Sequence, residues 1–201
     1  YLPSEPEDKR QLAVSQWLSF LSVPNFDLRR FLSSESEMLT WKAKGLPGDD
    51  LSMENAIILL NCSLPPLIID PSTLASKWLE KHVRESGSVQ VSVETVALHE
   101  QKFSTTLELA VRFGKTLIVQ DTDGVDPVLY PILRRDFVRQ GPRFIVQVGD
   151  KVLDFNENFR LFMVTRNPQT HLSPDAASLV TLTNFTVTRS GLEGQLLGLT
   201  I

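Results

Sequence analysis

The sequence contains few residues of the types that build disulfides and metal sites. Its 201 residues include one cysteine, Cys62, so an internal disulfide is excluded and a reducing compartment is favoured. The three histidines, His82, His99 and His171, are scattered, and their spacing to Cys62 matches no metal-binding motif. We therefore predict no metal site.

Long apolar runs and an excess of positive charge are also missing. No apolar stretch approaches the roughly 20 residues that a membrane-spanning helix needs, which predicts no membrane span. The net charge is −4 and the pI is about 5.4, which argues against a broad nucleic-acid surface. No signal-peptide pattern follows Tyr1, and because the chain does not open on methionine we expect it to be a segment of a longer protein.

What is present fits a globular α/β protein. The chain is 42% apolar, enough for a core, and its length suits one α/β domain with an extension or two small units. The pattern changes near Pro47: residues 1–46 look helical, with an apolar stripe at Ala13, Trp17, Phe20 and Leu21. We therefore predict an N-terminal helical extension at 1–46, an α/β unit at 47–188, and the start of a further helix at 189–201, where Ser190 and Glu193 could form a capping box.

In the α/β unit, apolar strand patterns alternate with helical ones. Buried strands are predicted at 67–70, 116–120, 159–165 and 180–187, with a β-rich stretch at 89–96. Predicted helices begin near Ser52, after Pro71, at Phe103 (ending at Gly114), around 129–137 and at Ser173–Asp175. A β-hairpin is predicted at 144–155 around the turn 149–151. This alternation predicts a mostly parallel sheet between helices, with a hairpin insertion.

One strand-turn-helix has the layout of a phosphate-binding loop without its chemistry. Aligned with G-x-x-x-x-G-K-[ST], the two glycines are replaced by Asp70 and Ala75, the lysine by Ser76 and the hydroxyl residue by Lys77. A working loop needs glycines for close backbone approach, a lysine for the terminal phosphates and a hydroxyl for Mg²⁺. We therefore predict a degenerate site without a nucleotide cofactor. The alternative is that the similarity to a phosphate loop is accidental.

Two further strand ends carry polar residues in suggestive places. Asp121, after the strand 116–120, resembles the first acid of a Walker B motif, but the second acid is replaced by Thr122. Thr165 and Asn167, with Arg166 between them, follow the strand 159–165, where a first sensor residue would orient the attacking water. For each of them a structural cap is the alternative. Asp121, Asp123 and Asp126 lack the Ca²⁺-loop spacing and its glycine, so a solvated acidic turn is the favoured interpretation. We predict no catalytic residue.

Several motifs together resemble a known family. They are the runs at 46–56, 66–71, 114–121, 126–127 and 180–192, reading LPGDDLSMENA, PLIIDP, GKTLIVQD, DP and VTLTNFTVTRSGL. In this order and spacing they resemble the fifth AAA+ module of a dynein heavy chain, over about residues 40–201. The opening YLPS and the run FDLRRF at 26–31 resemble most the heavy chains of retrograde intraflagellar transport.

The resemblance implies a P-loop NTPase-like AAA+ large subdomain in a six-module ring. It implies ATP-Mg in other modules, neighbouring AAA+ modules as partners, and contact with the microtubule through a stalk and with intermediate and light chains through the parent protein. It also implies the cytoplasm and cytoskeleton, with the cilium or axoneme if the narrower resemblance holds. Related modules tend to carry an arginine finger where this chain has Leu179, and Arg166 is a weak substitute. This module is expected to transmit ring movement without hydrolysing ATP.

Two other functions remain open from the sequence. The chain could be an active nucleotide-binding AAA+ NTPase with an atypical loop. It could also be a free-standing interaction module unconnected with a ring.

Overall fold

The computed structural model describes residues 6–23, 26–86, 92–187 and 192. Within these ranges the chain forms helices on both sides of a parallel sheet, and a second, smaller sheet. The helices are α1 (Glu7–Phe20), α2 (Leu28–Leu32), α3 (Glu35–Ala43), α4 (Asp50–Asn61), α5 (Leu74–Ser86), α6 (Phe103–Phe113), α7 (Tyr130–Leu133), which follows a 3₁₀ turn at Pro127–Leu129, and α8 (Pro174–Ala177). The strands are β1 (Pro66–Ile69), β2 (Val93–Ala97), β3 (Thr116–Gln120), β4 (Val138–Gln140), β5 (Arg143–Val148), β6 (Lys151–Phe155), β7 (Arg160–Thr165) and β8 (Thr181–Asn184).

The main sheet has the strand order β2-β3-β7-β1-β8, and every pairing in it is parallel. The carboxyl ends of β3, β7 and β1, three neighbouring strands, therefore meet at one edge of the sheet. In open α/β sheets this edge is where ligands usually bind. The predicted mostly parallel α/β sheet is confirmed.

The core has two layers because alternate residues of each central strand point to opposite faces of the sheet. Leu67, Leu117 and Leu161 pack on one face with α6, α7 and the small sheet. Ile68 and Ile118 pack on the other face with α4 and α5. Ile68, Ile118 and Leu161 are each at most 4% exposed, as expected for strands covered on both sides.

The N-terminal helices reach this core through α3 and the residues that follow it. Trp41 of α3 is buried and lies edge-on to Trp78 of α5, with 6.1 Å between ring centroids. Leu46 is buried in the same layer. In α1 the predicted apolar stripe is present but exposed: Trp17 is 48% and Phe20 88% exposed.

Two predicted helix boundaries had different outcomes. The expected N-cap at Ser52 is wrong, because Asp49 is the N-cap of α4 and its carboxylate accepts hydrogen bonds from the N–H and the hydroxyl of Ser52. A carboxylate at this position accepts a free N–H of the first turn and also places negative charge at the positive end of the helix dipole. The predicted end of α6 at Gly114 is confirmed, since Gly114 has φ 66° and its N–H donates to the carbonyl of Ala110.

Other segments differ from the prediction in length. The helix expected around 129–137 is divided into the 3₁₀ turn and the four-residue α7, and Phe137 lies outside it because Arg135 takes a left-handed backbone conformation. The strand expected at 180–187 is confined to β8. The predicted hairpin is confirmed, but β4 pairs with β5 as an unpredicted third strand. The β-rich stretch at 89–96 lies partly, and the proposed Ser190–Glu193 box wholly, outside the described residues.

Candidate functional site

The residue that replaces the first loop glycine, Asp70, follows directly after β1. Its backbone N–H donates to the carbonyl of Thr165 at the end of β7, with an N–O distance of 2.8 Å. The chain then turns through Thr73, whose φ is 59°, and enters α5 at Leu74. This geometry places the Asp70 side chain at the N-terminus of α5.

The carboxylate of Asp70 is fully buried and accepts three hydrogen bonds. The N–H and the hydroxyl of Ser76 donate to Oδ2 at 2.8 and 2.9 Å, and the hydroxyl of Ser72 donates to Oδ1 at 2.9 Å. The Ser76 hydroxyl also lies 3.2 Å from the carbonyl of Thr73. Free N–H groups and the helix dipole make such a terminus an anion site. The protein's own carboxylate is therefore the anion that the N-terminus of α5 binds.

The two other replaced loop residues point away from this carboxylate. Ala75 is 1% exposed and packs in the core layer with Trp78, and Lys77 is exposed. The sequence alignment placed Ser76 and Asp70 in the loop, but the Ser72 contact was not predicted. A signal for it existed, since aspartate and serine side chains in a turn tend to form local hydrogen bonds.

The Walker-B-like residue, Asp121, lies at the end of β3 and forms an ion pair with Arg166. The Arg166 Nε and Nη2 atoms lie 2.8 and 2.7 Å from its Oδ1 atom. Both side chains are partly exposed, so water screens the pair and its contribution to stability is small. The φ of Asp121 is 56°, which turns the chain sharply at the strand end. The contact pairs Arg166 within its own chain, and its suggested action on a neighbouring module stays a prediction.

Thr165, the first-sensor-like residue, ends β7, the strand that lies between β3 and β1 in the sheet. Its side chain is fully buried, and its hydroxyl lies 3.5 Å from a carboxylate oxygen of Asp123 and 3.3 Å from the hydroxyl of Thr170. The same hydroxyl accepts the N–H of Asn167, whose side chain accepts the N–H of Gln169. The strand ends of β1, β3 and β7 thus bring Asp70, Asp121 and Thr165 to one edge, where each side chain has partners within the chain.

Thr122, which replaces the second Walker B acid, is also fully buried. Its N–H and its hydroxyl both donate to the carbonyl of Val164, each at 3.1 Å. The residue therefore ties β3 to β7 beyond their last paired residues.

In the acidic turn, Asp121, Asp123 and Asp126 each have a different hydrogen-bond partner. Asp126 caps the 3₁₀ turn by accepting the N–H of Val128, while Asp121 and Asp123 have the partners given above. In the described part of the chain no group of three or more His, Cys, Asp or Glu side chains could hold a metal ion. Burial raises the pKa of the Cys62 thiol, which keeps it in the weakly nucleophilic protonated form. No described helix is long and apolar enough to cross a membrane.

Comparison with known proteins identifies the family. Residues 39–201 match the family described as the ATP-binding dynein motor region. The chain belongs to this dynein family. The match covers the whole α/β unit and begins within α3, the helix whose Trp41 packs into the core. The predicted family is therefore confirmed, and the edge described above is part of a dynein motor region.

Relatives in the dynein family are similar over the full chain. The chain is 61% identical over 202 residues to cytoplasmic dynein 2 heavy chain 1 of Chlamydomonas reinhardtii and 55% identical over 201 residues to that of Homo sapiens, in both cases over 100% of its length. It is 41% identical over 179 residues, 89% of its length, to the cytoplasmic dynein heavy chain of Dictyostelium discoideum. These identities confirm the predicted narrower resemblance to the dynein heavy chains of retrograde intraflagellar transport, which are those of cytoplasmic dynein 2. The chain spans 5%, 5% and 4% of these three relatives.

Proposed function

We propose that this chain is a non-catalytic AAA+ large subdomain, the fifth module in the ring of a dynein heavy chain, and that it relays ATP-driven ring movements towards the stalk. The observation that carries the proposal is the buried Asp70 carboxylate at the N-terminus of α5. A nucleotide phosphate at this position would meet a negative charge instead of glycine N–H groups and a lysine.

The neighbouring strand ends support the same function. A Walker B acid acts by holding Mg²⁺, but Asp121 is paired with Arg166, and Thr122 offers a hydroxyl already donated to a carbonyl. Lys77, the only cation of the loop alignment, is exposed on α5. The edge is a hydrogen-bonded unit that holds β1, β3 and β7 together, which suits a module that moves as a rigid body.

The parent protein would supply the activity. By similarity to cytoplasmic dynein 2 heavy chains, it would be a motor ATPase with ATP-Mg bound in other modules. Its partners would be neighbouring AAA+ modules, the microtubule through the stalk, and intermediate and light chains. It would act in retrograde intraflagellar transport, in the cytoplasm, the cytoskeleton and the cilium.

The competing function is an active NTPase module with an atypical loop. Isothermal titration of the chain with ATP-Mg²⁺ and with ADP distinguishes the two. We expect no measurable heat of binding for the chain or for the Ser76→Lys variant, because Asp70 and Ala75 remain in place and a single lysine does not restore the loop. Micromolar binding to the unaltered chain would contradict the non-catalytic function.

A further inference from the structure

A large cavity lies at the edge of the main sheet opposite Asp70. It has a volume of about 1290 Å³ and opens beside the residues that precede β1, β3 and β7. We call it the amino-edge groove and define it by Leu64, Phe113, Arg135, Phe137, Phe155 and Arg160. Small-molecule pockets are usually about 300–1,000 Å³, so the groove has room for several side chains of a polypeptide.

The walls of the groove are aromatic. Phe137 stacks on Phe155 with 4.0 Å between ring centroids, and Phe159 meets Phe155 edge-on at 6.2 Å. At the mouth, Phe113 is 66% exposed and Phe144 is 37% exposed. Phe113 and Phe144 are thus large apolar rings left exposed at one opening, which is typical of an interaction surface because leaving such rings in water is unfavourable.

The charged side chains around the groove are mainly positive, although the whole chain carries −4. Lys115, Arg135 and Arg160 line it, against one acid, Glu157. Lys115 is paired with Glu94 at 2.5 Å, and Arg135 donates to the carbonyl of Ser63 at 2.9 Å. Three cationic side chains therefore face two acidic ones, Glu157 and Glu94, which leaves an excess of one positive charge.

We propose that the amino-edge groove binds an amphipathic peptide segment that presents apolar side chains to the phenylalanines and acidic side chains to the cations. The segment comes from another part of the same heavy chain. The 201 residues would be a small part of that heavy chain, just as they match only 5% of a related one. An acidic partner is favoured because it would neutralise the excess cation at the rim, whereas a basic one would add to it. Only the source of the segment rests on the proposed function, and a titration with ATP tests that function independently.

The test is photo-crosslinking in the complete heavy chain. A benzophenone amino acid replaces Phe113 at the mouth of the groove, and, as the control, Val152 on the small sheet, which is 60% exposed. We expect position 113 to crosslink to one acid-bearing apolar segment of the same chain, identified by mass spectrometry, and position 152 not to crosslink to it. Crosslinks from position 113 to a basic segment, to another polypeptide, or to no peptide would overturn the proposal.

A charge variant adds a second readout. Arg160→Glu should lower the crosslink yield from position 113 about threefold to tenfold at low salt and less at high salt, since exposed charges are screened. Arg160→Lys keeps the charge and should preserve the yield. Equal yields for the Glu and Lys variants at low salt would contradict the acidic character of the partner.

Discussion

Replacement of Asp70 by alanine gives the sharpest test of the buried anion at the N-terminus of α5. The change removes the three hydrogen bonds that the carboxylate accepts, but the free-energy cost of losing them differs from one to the next. Ser72 is exposed, so water can replace its partner, and the hydroxyl of Ser76 keeps the carbonyl of Thr73. The N–H of Ser76, at a residue only 6% exposed, is left without an acceptor.

The expected loss of stability is set mainly by the unpaired N–H of Ser76 and the lost cap of α5. A buried donor without a partner costs about 1–3 kcal/mol, and loss of an N-terminal cap costs about 0.5–2 kcal/mol. Because these effects overlap, we expect Asp70→Ala to lower the free energy of unfolding by about 3 kcal/mol. For a chain of this length that corresponds to a decrease in Tm of about 6–12 °C.

Urea unfolding and thermal melts measure the change, and Asp126→Ala is the matched control. Asp126 also caps a helical turn through one backbone N–H, but it is only half-buried, so its loss should cost about 1 kcal/mol or less. Asp70→Asn should lie between the wild type and Asp70→Ala, because an amide offers one acceptor where the carboxylate offers two.

Addition of inorganic phosphate is a second test of the anion site at the N-terminus of α5. It should raise the Tm of Asp70→Ala more than that of the wild type, since the variant leaves the N-terminus of α5 without its anion. A wild-type Tm for Asp70→Ala, or equal stabilisation of both proteins by phosphate, would refute the reasoning.

Four further predictions follow from the packing and the predicted role. Gly114→Ala should lower the free energy of unfolding by about 1–2 kcal/mol more than Gly141→Ala in urea unfolding, since both have positive φ but only at Gly114 would a Cβ lie 2.5 Å from a side-chain oxygen of Asn156. Ile68→Asp should cost about 4 kcal/mol or more through an unpaired buried charge, and an unchanged Tm would show that the sheet is wrongly placed. Burial, with the charge of Lys44, lowers the pKa of His82 below 6.5, so the unfolded chain binds more protons than the folded one. The urea midpoint should therefore fall as the pH is lowered below about 6.5, and the His82→Gln variant should lack this contribution. Deleting the hairpin turn 149–151 in a complete motor should weaken coupling between ATP turnover and microtubule affinity, and wild-type gliding speed and microtubule-stimulated turnover would count against that role.

Local patterns in the sequence were sufficient for most of the fold. Short apolar runs such as 67–70 and 116–120 predict buried strands because a strand covered on both faces has no polar side, and Gly114 marks a helix end because only glycine takes its backbone conformation freely. The missing glycines and lysine of the phosphate loop are likewise visible without coordinates, because each has a fixed place in the motif.

Contacts between distant segments were decided only by the tertiary structure. Asp70 appeared as a replaced glycine, but its burial against Ser76 depends on the turn at Thr73, and the Asp121–Arg166 pair depends on β3 lying beside β7. The amino-edge groove joins residues from loops that are far apart in the chain. Hydrophobic patterning records which face of an element is covered, whereas strand order and loop conformation determine which polar and aromatic side chains meet at each edge of the sheet.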